Sequence, residues 1–313
     1  MHNEFYDGLN RKIPCPASII LLLAYTGGLM PTLILEKERL IPGKTSKLVL
    51  DAPQIAKKAQ PGHFIILRMS ERGERIPLTV ADCNPQKGTI TIVYLVMGKS
   101  TALLESLEQG DSILDVCGPL GNPTHIEKLG TVICVGGGTG IAAMHHIAKG
   151  HHRKGNHVVA VIGARSKELL LFEQELASFA DEMLIATDDG SYGRKGLVTD
   201  LLRERLEQDP GVAEVVAVGP VPMMAAVAAT SKPFGVKTTV SLNSIMIDGI
   251  GMCGACRVSV GGVTRFACAD GPEFDGQLVD FVELRQRLGA YAAQEKLSLD
   301  NYRCACHDNK QKS

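Results

Sequence analysis

The sequence predicts a β-barrel joined to a parallel-sheet α/β domain, with a small third unit behind them that holds a metal cluster. Three observations carry that prediction. Residues 32–122 are a series of short alternating runs rich in β-branched residues, at the spacing of an antiparallel barrel. From Thr131 apolar strands alternate with helices, a pattern that builds a parallel sheet. Near the C-terminus stands a string of four ligand-type residues, Asp248, Cys253, Cys256 and Cys268, spaced D-x4-C-x2-C-x11-C.

In the barrel half the strands are LILEKERLI, SKLVLDA, HFIILRMS, LTVADCN and GTITIVYLV. TVICVGGG then runs into a glycine loop, and IAAMHHIAKG is the helix after it. HVVAVIGA, EMLIATDDG and AEVVAVGP are further strands, separated by the helices KELLLFEQELASFA and LVTDLLRERLEQ and followed by the helix VPMMAAVAATSK. The expected units are a barrel over 30–122, an α/β domain over 123–238, a cluster domain over 239–285 and a tail over 286–313, helical at first and polar at its end. Residues 1–29 do not match the rest. ASIILLLAYTGGLM is apolar but well short of the ~20 residues that span a bilayer. We expect an N-terminal extension there, non-native or disordered, with Met30 as the biological start.

Composition narrows the function classes. The 313 residues are 45% hydrophobic and 21% charged with a net charge of −1, which argues against a nucleic-acid partner or an acidic membrane surface. Nine cysteines, three of them in one motif, do not form a secreted disulfide framework. A reducing, cytoplasmic setting is expected.

The ligand string points to electron transfer. Plant-type [2Fe–2S] sites use C-x4-C-x2-C and a more distant Cys. Here Asp248 stands at the first position, and a carboxylate can replace a thiolate on ferric iron. Gly249, Gly251 and Gly254 let the backbone fold tightly around an inorganic core. Cys253 and Cys256 alone also fit half of a zinc site or a redox dithiol. A zinc site wants a second close pair and a thioredoxin-like dithiol a preceding strand, so the cluster is the stronger reading and zinc the alternative.

Several loops fit a nucleotide. Gly136, Gly137, Gly138, Thr139 and Gly140 join a strand to a helix, where glycines admit a pyrophosphate to the helix N-terminus. Gly219 and Pro220 end a later strand, and Asp188 ends another, so all three loops should share the carboxyl edge of the sheet. In the barrel, Arg75, Pro77, Leu78 and Thr79 open a strand whose Arg suits a phosphate and whose Thr suits a flavin ring edge. Gly98, Ser100 and Thr101 open a helix that could hold the same pyrophosphate. Each piece alone reads as an ordinary turn or a surface Arg; their order carries the argument.

That order resembles the ferredoxin–NADP+ reductase superfamily, an FAD barrel fused to a pyridine-nucleotide domain. With RIPLTVAD, GPLGNP, VGGGTGIA, DDGSYGRKGLVTD, DGIGMCGACRVSV and FACADGPEFDG, the resemblance narrows to the small subunits of NADH-dependent ferredoxin:NADP+ oxidoreductases, also known as sulfide dehydrogenase subunits. It is similar as well to the electron-transfer subunits of class B dihydroorotate dehydrogenase, which hold their [2Fe–2S] cluster with four Cys. Asp248 favours the former, and Ala143 departs from the Pro that many relatives carry. The resemblance implies FAD, a [2Fe–2S] cluster on Asp248, Cys253, Cys256 and Cys268, and NAD(H), with no acid–base residues. It also implies a large iron–sulfur flavoprotein partner through which ferredoxin is served. Arg165 and Lys167 would also suit the 2′-phosphate of NADP(H). A zinc-bound nucleotide sensor without redox activity is the rival from another class.

Other residues read as structural. His145, His146, His151 and His152 suit the exposed C-terminal end of a helix. Cys134 and the pair Met223-Met224 read as core, and Cys304 and Cys306 as exposed thiols.

Overall fold

The computed structural model describes residues 31–71 and 73–310. The expected extension 1–29 and the start at Met30 lie outside the described residues, as do the side chains of Cys306 and His307. The barrel strands are β1 (Thr32–Ile41), β2 (Thr45–Asp51), β3 (Phe64–Arg68), β4 (Ile76–Asn84), β5 (Thr89–Leu95), β6 (Ser112–Ile113) and β7 (Asp115–Leu120). They pair antiparallel in the order β6-β1-β2-β5-β4-β3-β7. Period-two alternation fills the interior: Ile90, Ile92 and Tyr94 of β5 meet Leu48 and Leu50 of β2 and Ile65 and Leu67 of β3. β7 runs into the GPLG stretch as far as Leu120. Between Val80 and Asp82 the register of β4 against β5 slips, leaving a bulge at Ala81. Two helices complete the barrel, α1 (Pro53–Ala56) and α2 (Lys99–Ser106).

The second sheet contains β8 (Thr131–Gly137), β9 (His157–Ala164), β10 (Glu182–Thr187), β11 (Arg194–Lys195), β12 (Val212–Val218), β13 (Lys237–Ser241) and, from the cluster region, β16 (Glu273–Asp275). Its order is β11-β10-β9-β8-β12-β13-β16, parallel except for the last pair. Helices α3 (Gly140–Arg153), α4 (Glu173–Ala177), α5 (Val198–Gln208) and α6 (Val221–Ser231) cover it. The run read as one helix from Lys167 is broken: a 3-10 turn, Lys167–Leu169, precedes α4, and Phe172 between them takes a left-handed φ of 58° that stops helix propagation.

The histidines correct the sequence reading. His145, His146 and His151 are buried, and of the four in α3 His152 alone is exposed. The helix packs against the sheet on one side and against β4 of the barrel on the other, so no broad face of it reaches water.

The cluster region is a hairpin, β14 (Arg257–Val260) and β15 (Val263–Phe266), ahead of β16, followed by α7 (Phe281–Leu288) and α8 (Ala292–Lys310). It shares a core with the second sheet: Cys256, Val258, Ala267, Cys268 and Leu284 belong to the same buried group as Val215, Val240 and Met246. The tail is helical from Ala292 to Lys310, and α8 returns against α2. Among the described residues no helix is long and apolar enough to cross a membrane.

Candidate functional site: a cleft and a cluster loop

The strand order of the second sheet reverses at β8, which has β9 on one side and β12 on the other. Ligands of open α/β sheets bind outside the carboxyl ends of the strands at such a point. A cleft of about 1020 Å³ lies there, between sheet and barrel. Pro77, Leu78 and Thr79 of β4 form part of one wall. Gly137, Gly138, Thr139, Gly140, Asp188, Gly219 and Pro220 form part of the other. Residues from both halves of the sequence thus face one space.

The two glycine loops meet because one position has no side chain. A Cβ on Gly140 would come within 2.5 Å of the Val218 carbonyl oxygen and 2.6 Å of Gly219 Cα. Both obstacles are backbone and cannot rotate away. Gly138, at φ 54°, has open space where its Cβ would be. The first turn of α3 carries no acidic residue, so the positive end of the helix is not neutralised there. These features fit a dinucleotide's phosphates.

Arg75, Gly98, Ser100, Thr101 and Gly136 are not part of the cleft wall. Arg75 is exposed. Gly136 is backed by Met144 and Ile141 in the core. The others are tied together at the start of α2. The Ser100 hydroxyl donates to Glu74, linking the lead-in of β4 to α2. The Thr101 hydroxyl accepts from the backbone N–H of Met97 at 3.0 Å and of Gly98 at 3.1 Å. Sequence reasoning missed Phe64, Ala81, Tyr94 and the run from Ser241 to Ser244 with Met246, all of which line the cleft. For Met246 the signal was available: it lies two residues before Asp248. Of the two cations considered for a 2′-phosphate, Arg165 lines the cleft, while the Lys167 ammonium sits 4.7 Å from the centre of the Tyr192 ring.

The four cluster residues are placed unequally. Cys256 and Cys268 are buried, with sulfurs 3.2 Å apart, too far for a disulfide. The Gly251 N–H donates to the Cys268 sulfur at 3.2 Å. Burial, then the Cys256 thiol, push Cys268 up to about 12, so the Cys268 sulfur becomes a thiolate only when a cation displaces its proton. Asp248 and Cys253 lie on the outer side. The Asp248 carboxylate accepts from the Ile250 N–H at 3.0 Å and the Cys253 N–H at 2.6 Å. Those amides, Ile250's foremost, hold it below the usual carboxylate range. Among the described residues no three His, Cys, Asp or Glu side chains already converge as a finished metal centre. The donor set still fits an iron–sulfur core: three soft sulfurs, one anionic oxygen, and backbone N–H groups turned toward sulfur.

Cleft and loop adjoin. Phe64 of β3 lines the cleft. Two residues along the same strand, about 7 Å, Ile66 lies under Gly249, where a Cβ would come within 2.8 Å of its side chain and of Leu120. Met246 lines the cleft, and Asp248 begins the ligand string.

This combination defines a flavin- and nicotinamide-type reductase of the ferredoxin–NADP+ reductase fold that carries a C-terminal iron–sulfur unit. Residues 134–229 match the oxidoreductase NAD-binding domain, and residues 243–280 match the iron-sulfur cluster binding domain of dihydroorotate dehydrogenase B. The chain belongs to the family of dihydroorotate dehydrogenase B electron-transfer subunits and their homologues. It is 48% identical over 253 residues to the electron transfer subunit homolog of Thermotoga maritima, covering 81% of this chain and 89% of that one. It is 36% identical over 249 residues to the electron transfer subunit of Bacillus caldolyticus, covering 76% and 93%. A solved structure of the NADH-dependent reduced ferredoxin-NADP oxidoreductase, reported for its insights into flavin-based electron bifurcation, matches with a TM-score of 0.82 at 44% identity, covering 88% of this chain and 99% of that one. A ferredoxin NADP+ reductase from Neisseria gonorrhoeae with bound FAD and NADP shares the fold, at 18% identity and a TM-score of 0.53. The resemblance read from the motifs is borne out.

Proposed function

We propose that this chain carries electrons between NAD(H) and a larger iron–sulfur flavoprotein, through FAD in the cleft and a [2Fe–2S] cluster on Asp248, Cys253, Cys256 and Cys268. Ferredoxin would be served through that partner, as in ferredoxin:NADP+ oxidoreductases, and the reducing cytoplasm suits the free thiols. The observation that carries the reading is the shared border: Met246 and Phe64 wall the cleft, and Asp248 and Ile66 belong to the cluster loop and its bed.

Bound flavin supplies the exchange between two-electron and one-electron transfer. The chain positions and insulates. Thr79 offers a hydroxyl to a ring edge, and Leu78, Leu95 and Met97 supply apolar wall that excludes water. Gly138, Thr139 and the start of α3 receive phosphate, with Gly219 and Pro220 opposite and Asp188 at the rim. On the barrel side Arg75, and the amides at Gly98 and Ser100 just after Met97, lie beyond the cleft wall and would take flavin phosphates that reach past that wall; the Thr101 hydroxyl, committed to Met97 and Gly98, shapes that turn. NADP(H) would call on Arg165. No side chain is asked to move a proton.

A second reading within the same chemistry is the electron-transfer subunit of a dihydroorotate dehydrogenase. The match of residues 243–280 favours it, and Asp248 at the first ligand position favours the former. The partner that co-purifies distinguishes them. The test of the common core is an anaerobic visible spectrum of the chain before and after NADH. Flavin bands and an iron–sulfur shoulder, both bleached, are expected. A colourless protein that binds zinc would sink the reading in favour of a nucleotide sensor.

A further inference from the structure

Helix α3 begins at the dinucleotide loop with Gly140, and its middle is fastened to the strand that carries Pro77, Leu78 and Thr79. His146 Nδ1 lies 3.0 Å from the Val80 carbonyl oxygen. One turn on, Lys149 Nζ donates to Asp82 Oδ2 at 2.8 Å. These two contacts straddle the bulge at Ala81, itself a buried cleft residue. A bulge interrupts the ladder and re-aims neighbouring side chains, and a polar group near it left without a partner would cost stability in a dry interior. His146 is only 2% exposed. Burial, opposed by the bond to Val80, lowers its proton affinity, so the ring is neutral at pH 7. A carbonyl can only accept, so the ring carries its hydrogen on Nδ1.

We infer that His146 is a positioning residue: by donating from Nδ1 to the Val80 carbonyl it fixes the flavin-side strand, at its bulge, against the helix that presents the nicotinamide-side loop. The inference rests on the proposed function for its kinetic consequence, though the clamp itself does not. Its chemistry sets a geometric requirement. The two ring systems must be held at the reactive stacking distance of about 3–3.5 Å, and a misplacement of about 1 Å costs as much as ~100-fold in rate.

The test uses the full chain and three variants. In His146→Asn an amide N–H can occupy the place of Nδ1. In His146→Gln the amide is one methylene too far out, and in His146→Leu the donor is gone. The first measurement is amide hydrogen exchange of residues 76–84 before any cofactor is added. Faster exchange is expected around Val80 in Gln and Leu, near-native exchange in Asn, and no change in β2. The second is anaerobic flavin reduction by NADH in single turnover. Gln and Leu should slow the saturated rate by about 10-fold or more with little change in half-saturation, and Asn should restore most of it. Should Leu not fold, Gln against Asn decides alone. Variants that lose thermal stability yet keep native exchange at Val80 and the native saturated rate would overturn the inference. If the unaltered chain's flavin is not reduced by NADH, the proposed function fails, and the exchange contrast still decides the clamp.

Discussion

The cleft and the cluster loop are built on opposite plans. In the cleft the decisive contacts are backbone on backbone: Gly140 against Val218 and Gly219, with the strands behind them set by the parallel ladder. In the loop, Cys256 and Cys268 are sunk in the core at 1% and 3% exposure while Cys253 is exposed. Asp248 meanwhile spends its oxygens on its own loop's amides. The cleft is preformed by the polypeptide. In the loop the inner pair is buried and the outer pair is not, so on the proposed ligand set a bound cluster would draw Asp248 and Cys253 onto Cys256 and Cys268.

The contrast can be broken most forcefully at Gly140. Gly140→Val should cost about 2–4 kcal/mol of stability by driving the two loops apart, and it should abolish bleaching of the flavin by NADH. Thermal unfolding and an NADH titration check this, and a variant of native stability would show that the loops are not in forced contact. The next test sits in the loop. Cys268→Ala and Cys253→Ala should both lose bound iron. Measured without iron, the first should lose about 1–2 kcal/mol and the second less than about 0.5 kcal/mol. Equal losses would mean that the loop is as preformed as the cleft.

The seam between the regions titrates. Glu273 of β16 is raised to about 7 by burial, against the Thr124 hydroxyl and with the Glu214 carboxylate adding to the rise. Its ordinary value is 4.5, so the folded chain holds this proton more tightly than the unfolded one. The contribution is complete below pH 4.5 and is lost as pH rises toward 7. Unfolding free energy should therefore fall from pH 5 to pH 8 by an amount on the order of 1–3 kcal/mol, and Glu273→Gln should flatten that slope. A slope unchanged in the variant would assign the pH dependence elsewhere. The smallest effect is expected at Asp248→Cys, which should still assemble a cluster but with a shifted midpoint potential. Identical potentials would show that Asp248 is not a ligand.

Much of the fold was legible because period and punctuation agree: HVVAVIGA coincides with β9 from His157 to Ala164. Local pattern could not show what distant packing decides. The α3 histidines looked like a solvated helix end because nothing near them in sequence reveals that β4 covers that face. β16 is three residues long, too short for any periodicity, and exists because β13 offers it an edge. Phe172 breaks a helix whose apolar spacing looks continuous. In the site, the glycine loops were readable since glycine marks backbone contact. Phe64 and Tyr94 were not, since an apolar side chain lining a cleft looks like one filling a core.

The strand β16 also bears on how the chain survives outside a complex. Parallel sheets are vulnerable at their margins, where unpaired N–H and C=O groups recruit other chains. One margin here, β11, is only two residues long. The other would be β13, a five-residue run of Lys, Thr, Thr, Val and Ser, were it not for Glu273, Phe274 and Asp275. The segment that guards this margin begins five residues after Cys268. Were the cluster unit to loosen for want of iron, more than electron flow would suffer: the border of β13 would be bared, and the chain would become a candidate for aggregation before it could meet a partner.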